Sequence, residues 1–325
     1  MRTIGSRSDA NSPAVTRASR GNRRECRVST DHPLRRALPL IILAGVFFST
    51  LDATAKYLVQ DHTLFVVVWA RYLGQMVVVT PIAWHRGGNG FWRTRHLRMQ
   101  LTRSLFLVLA TLCFFGALRF VPLAEATAIT FLAPMFAIAL AMPVLGEEPT
   151  RARWTSAIAG FCGIVLLVRP GSAVFHPAAI LLVMAAIANA MYQLLTRRLP
   201  DDASHTTLFY SALVGTLGLS VALPFVETPS GVTMHEAFFL ILLGFLAGLG
   251  HWCLTSAFLR APASLLAPFT YLHMIWATIY GYVIFDQFPD AISALGMAVI
   301  IASGIGLVWH ERKFSLPLGG GAGRG

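Results

Sequence analysis

Residues 117–140 read ALRFVPLAEATAITFLAPMFAIAL, and residues 257–280 read AFLRAPASLLAPFTYLHMIWATIY. Laid together, the two stretches pair Ala117 with Ala257, Pro122 with Pro262, Thr130 with Thr270, Leu132 with Leu272 and Ala137 with Ala277. The same register puts Pro149 on Pro289, and one inserted residue then brings Gly163 and Ile164 onto Gly304 and Ile305. Each copy is a Pro-led run of small and apolar residues, a short hinge carrying acid and proline, and a second apolar run. That pattern is two membrane helices joined by a tight turn, written once in each half of the chain. Internal repetition of this kind in an apolar sequence points to transporters built from two related halves.

Composition agrees. Of the 325 residues 55% are hydrophobic and only 13% charged, more apolar surface than a soluble domain can hide. The formal charge of +11 sits in a tail and in loops between apolar runs, where it reports topology rather than nucleic-acid binding. The four cysteines, Cys26, Cys113, Cys162 and Cys253, form no CxxC pair, and three lie inside apolar runs. They imply neither a disulfide framework nor a metal site.

Outward from the repeat, ten apolar runs each approach the roughly 20 residues that a bilayer-spanning helix needs. They cover 37–59, 63–84, 99–118, 122–145, 152–169, 177–197, 206–226, 236–258, 262–285 and 291–310. Before them, residues 1–36 form an arginine-rich polar tail, disordered and cytoplasmic by composition, with an organelle transit peptide as the competing expectation. Residues 311–325 form a C-terminal cytoplasmic tail. Pro122, Pro177 and Pro262 sit near helix starts, where the missing N–H costs nothing. Pro134 and Pro268 fall inside spans and should kink them.

Charge sets the orientation. With the N-terminus inside, the inner segments hold nine arginines in the tail, then Arg86, Arg93, Arg95, Arg98, Arg151, Arg153, Arg197, Arg198, Arg260, Arg312, Lys313 and Arg324. The outer side receives only Arg119 and Arg169. Lysine and arginine mark the cytoplasmic side, so both termini are expected there, in the inner membrane. The hinge GEEPTRAR (146–153) then lies inside and its partner DQFPDAIS (286–293) outside. Five spans per half is an odd number, so equivalent segments run in opposite directions. The expected fold is an all-α integral membrane protein of ten transmembrane helices, built as two inverted five-helix repeats over 37–170 and 177–310. A weaker echo opens each half, where LDATAKYL (51–58) matches ANAMYQLL (188–195) and Asp52 and Lys56 face Asn189 and Gln193.

From about Ala37 to His310, the chain resembles the EamA-type carriers of the drug/metabolite transporter superfamily. The likeness rests on ALRFVPLAEATAITFLAPMFAIAL, on GEEPTRARWTSAIAGFCGIVLLVRPG after it, and on their echo in the second half. The resemblance implies a ten-helix carrier that moves a small organic metabolite by alternating access, often coupled to protons. The second half lacks a counterpart of Glu147 and Glu148, which argues against a symmetric role for those acids.

Ionisable groups in the hydrocarbon layer cost at least about 2.5–3.5 kcal/mol each on insertion scales and are functional candidates by default. Asp52 and Lys56 are one helical turn apart on the first span, and Arg71 lies at comparable depth on the second. An Asp52–Arg71 or Asp52–Lys56 pair could bind a zwitterion or pass a proton, against the blander expectation of a structural ion pair. Glu125 either caps the fourth helix or touches substrate. His251 and His273 could couple transport to protons or simply bond between helices. Trp69, Tyr192, Tyr271 and Trp276 could stack on an aromatic or cationic substrate, although such residues usually pack. Asn189 and Gln193, with Gln75, would supply a neutral wall. Arg103 sits near enough to the inner surface to serve as an anchor.

No HExxH, serine elbow or acid cluster at membrane depth supports the rival class, a polytopic intramembrane enzyme acting on a lipid or small metabolite. No filter loop supports a channel. No glycine-rich phosphate loop suggests a nucleotide, and no cofactor or metal is expected. The expected partners are a small-molecule substrate and the lipid bilayer, with a homodimer compatible with the pattern.

Overall fold

The computed structural model describes residues 31–146, 150–172, 174–199, 202–226, 232–261 and 263–315. The Glu147–Glu148 pair, Pro149, Pro262, most of the basic tail and residues 316–325 lie outside the described residues. Among those described, the chain is all helix: α1 Asp31–Asp61, α2 Leu64–Gly87, α3 Leu97–Leu118, α4 Leu123–Thr130, α5 Ala133–Leu145 and α6 Arg151–Leu167. The second half follows with α7 Ala179–Arg197, α8 Ser204–Ala222, α9 Met234–Phe258, α10 Ala263–Thr270, α11 Leu272–Phe285 and α12 Ala291–Ser315. Eight helical stretches are long and apolar enough to cross a membrane. Leu105, Ile158, Phe161, Val165 and Ile241 point outward, while Ser49, Asp52, Arg71, Gln75, Arg103 and Thr127 point inward. That inversion of soluble-protein logic is what lipid as solvent requires.

Two of the expected spans are each broken into a helix pair. α4 ends at Thr130, and the backbone tightens there: Phe131 N–H donates to Ala128 O and Leu132 N–H to Ile129 O, both three residues back. Pro134, which has no N–H to give, then falls in the first turn of α5, where none is needed. In the second half Pro268 lies inside α10, and the break follows at Tyr271, the N-cap of α11. Both breaks fall within a few residues of the two prolines expected to bend these spans. α1 begins six or so residues before the expected boundary at Ala37, so the tail's last turn is already helical.

The helices pack crosswise between the halves. α1 lies against α9 and α11, and α7 lies against α3 and α5. α2 meets α8, and α6 meets α12. Glycines set these distances. A methyl group on Gly74 of α2 would sit 2.5 Å from Gly244 Cα on α9, and one on Gly163 of α6 would sit 2.7 Å from Gly296 O on α12. Small residues let apolar helices approach closely enough for dispersion to hold them, since lipid supplies no hydrophobic drive between helices. Arg169, just past α6, closes the α6–α12 pair at one end through Asp290 at 2.7 Å.

Candidate functional site

Asp52 lies on α1, nine residues from its C-terminal end, on the face that α11 covers. Ser49, on the same face, donates its hydroxyl to the His273 carbonyl at 2.9 Å. That bond holds α11 so that His273 Nε2 stands 3.0 Å from Asp52 Oδ2. With the carboxylate ionised, the ring N–H donates and the carboxylate accepts; with the acid protonated, the roles reverse. One turn below Asp52, Phe48 places its ring 6.3 Å from His273 and 5.0 Å edge-on from His251 of α9. A methyl group on Gly250 would meet the Phe48 ring at 3.0 Å, so glycine at that position lets α9 come this near.

His251 in turn faces Arg71, with 3.4 Å between its Nε2 and a guanidinium Nη2. The Arg71 guanidinium stacks over the Tyr72 ring at 4.5 Å, and Tyr72 is anchored by a 3.0 Å hydroxyl bond with Thr111 of α3. The site is thus a chain of groups: carboxylate, imidazole, phenyl ring, imidazole, guanidinium. In each charged pair the charge comes from the first half of the sequence and the histidine from the second. Thr50 extends the seam through a 3.0 Å hydroxyl bond with Tyr280.

Beside the two breaks, Phe131 and Tyr271 stack at 4.9 Å with their rings 22° apart. These two residues occupy equivalent positions in the sequence repeat. They stand between His273, 6.4 Å from the Phe131 ring, and an apolar cavity of about 110 Å³ lined by Met135, Gly160, Ile164, Ser303 and Gly304. That volume holds a few waters, while the His273 side chain keeps 22% of its surface exposed and Asp52 only 8%.

Two stretches of the chain, 35–169 and 176–309, match the EamA-like transporter family. The chain belongs to the EamA-like transporter family. It is 30% identical over 274 residues to an S-adenosylmethionine uptake transporter of Rickettsia felis, spanning 84% of this chain and 92% of that protein. It is 28% identical to a riboflavin transporter of Vibrio cholerae, across 87% of this chain and 96% of that one. A crystal structure superposes with a TM-score of 0.63 at 17% identity, covering 87% of this chain and 99% of its own, a likeness of fold alone. As a member of a transporter family, the chain is a transporter and not an enzyme.

The structure distributes the expected site residues unevenly. Asp52, Arg71, His251 and His273 come together, but Asp52 pairs with neither Arg71 nor Lys56. Lys56 instead donates to the carbonyls of Leu118 and Val121, both at 2.7 Å. There a cation satisfies the unpaired carbonyls at the end of α3. Glu125, within electrostatic range of Lys56, keeps one buried oxygen without a partner. Trp69 turns to α8 and donates its indole N–H to Ser220 at 2.8 Å. Trp276 lies against α1 beside Gly45. Asn189 and Gln193 are half-buried on α7. Arg103 is no surface anchor. It is fully buried, stacks on Tyr192 at 4.6 Å and donates to Thr196, Gln100 and Thr207 at 3.0 Å each. Phe48 is the residue missed, although its place one turn from Asp52 was a signal. Among the described residues no three His, Cys, Asp or Glu side chains gather as a metal site.

Proposed function

We propose that the chain is a secondary carrier of a small metabolite, working by alternating access between two inverted five-helix halves at 37–170 and 177–310. The supporting observation is that both buried charge–histidine contacts, Asp52–His273 and Arg71–His251, join one half to the other. If one half rocks against the other, those contacts must part and re-form, so whatever protonates or displaces them is coupled to the motion. The reciprocal packing, α1 on α9 and α11 as α7 is on α3 and α5, is the arrangement that two equivalent halves produce. The breaks at Phe131 and Tyr271 provide hinge points beside the site.

Asp52 and His273 are the proposed coupling pair, Arg71 and His251 the opposite wall, and Phe131, Tyr271 and Trp276 the aromatic surfaces. Asn189 and Gln193 line the approach from α7. Lys56 and Glu125 act one step away, holding the end of α3 and the start of α4 in place. The charge bias of the loops supports inner-membrane placement with both termini in the cytoplasm.

The relatives' substrates are small, ring-bearing metabolites, so S-adenosylmethionine and riboflavin are the first probes. Purified protein in liposomes preloaded with either compound should exchange it for labelled compound outside. Release of a chemically altered product by the protein in detergent would overturn the carrier reading.

A further inference from the structure

Among the described residues, Arg71 is a buried charge with two donor atoms left open. It is buried to 5% exposure, and its Nε and Nη1 atoms have no partner. Its hydrogen-bonding neighbours are uncharged groups, His251 at the long distance of 3.4 Å and the Tyr72 hydroxyl, and among the described residues no carboxylate lies within ion-pair distance. Removing a guanidinium from water costs several kcal/mol unless paired and fully bonded. Gln75, one turn along the same face of α2, is fully buried with both its amide nitrogen and its oxygen unbonded. Each buried polar atom left without a partner costs roughly 1–3 kcal/mol, so a polar group bound beside Gln75 would be favoured there. Arg103 adds to the local field. It lies, with Arg71, within electrostatic reach of the His251 ring, and its Nη2 is also without a partner. Its other nitrogens are already committed to α3, α7 and α8.

We infer that Arg71 and Gln75 form a receptor for an oxyanion, the carboxylate or phosphate of the transported molecule. This rests on the carrier reading above and names the class of substrate. The open Arg71 Nε and Nη1 atoms lie on the two edges that each include Nη2, whose two hydrogens let either edge present a fork of two donors to two oxygens of one oxyanion. The Gln75 amide donates a further bond from the same helix face. The nearby carboxylate, Asp52, is engaged by His273 on the far side of the Phe48 ring, so it does not fill the receptor. An oxyanion there neutralises a buried charge that the protein itself leaves open.

Matched probe pairs test this: S-adenosylmethionine against its carboxyl methyl ester, and riboflavin 5′-phosphate against riboflavin. The readout is thermal unfolding of the purified full chain in detergent, for the wild type, Arg71→Gln, Arg71→Lys and Gln75→Leu. In one pair the member that bears the carboxylate or phosphate should raise the wild-type midpoint and its partner lacking that group should not. The pair that discriminates tells carboxylate from phosphate. Arg71→Gln should abolish the shift, Arg71→Lys keep part of it, and Gln75→Leu reduce it. Without probe, Arg71→Gln should unfold no lower than the wild type, because it removes an unpaired charge.

Equal stabilisation by both members of a pair, a shift that survives Arg71→Gln, or no shift with either oxyanion-bearing probe overturns the receptor. An uncharged probe that stabilises the protein and exchanges across liposomes would leave the carrier standing without the receptor. A probe that stabilises but never crosses would count against the carrier itself.

Discussion

Asp52 owes its place to two neighbours on its own helix. Ser49 fixes the α11 backbone and Phe48 spaces the two histidines, so the carboxylate meets a ring rather than lipid. Removing its charge removes a charge-assisted hydrogen bond worth about 1.5–3 kcal/mol, roughly ten- to a hundredfold in a rate or affinity. Asp52→Asn should therefore lower exchange by at least about tenfold while the protein still elutes as a folded species; full exchange by the variant would make the pair structural. Asp290, outside the spans, carries a pH prediction. Its carboxyl is held below the usual carboxylate range, first by the Ser293 backbone N–H at 2.8 Å and then by Arg169. A carboxyl depressed on folding adds stability that is complete above its unfolded value, about 3.9, and fades as pH falls through the folded one. The midpoint difference between wild type and Asp290→Asn should be flat from about pH 8 to about pH 5 and shrink below about pH 4. A difference that grows on acidification would contradict it. At this scale the sequence yields the charged residues, because an ionisable group in an apolar run stands out by cost alone. Their partners were not legible. Asp52 and His273 are 221 positions apart, and only the packing of α1 on α11 decides that they meet.

Glycine contacts and helix breaks decide how the elements fit. Gly74 and Gly244 touch backbone to backbone, so Gly74→Ala must push α2 and α9 apart, at a cost of about 1–3 kcal/mol typical of overpacking. Gly218 of α8 has open space where its side chain would be, so Gly218→Ala should be neutral or raise stability by up to about 1 kcal/mol through helix propensity. Thermal unfolding in detergent ranks the three proteins, and an equal response of the two variants would deny the α2–α9 contact. The breaks were half legible. Pro134 and Pro268 announced a bend in each span, since proline removes a backbone donor. That Phe131 and Tyr271 would stack on each other needed both halves in place. Ends near Ala37 and Asp31 were blurred, because a basic amphipathic turn continues a helix without altering its apolar pattern.

The whole molecule is two similar sequences packed so that each covers the other. The repeat could be read because residues such as Pro122 and Pro262 or Thr130 and Thr270 serve the same backbone purpose twice. The cross-packing could not, since nothing local records which helix faces which. With ten spans, reporters fused after Asp202 and after Pro229 should face opposite sides of the membrane, and the same side for both would sink the ten-span topology. The most direct test of the carrier itself is untargeted metabolite profiling of cells and medium, comparing empty cells with cells expressing wild type or Asp52→Asn. The expected result is a known compound that moves between compartments with the wild type, moves far less with the variant, and is chemically unchanged. New chemical species without any such redistribution would contradict a carrier.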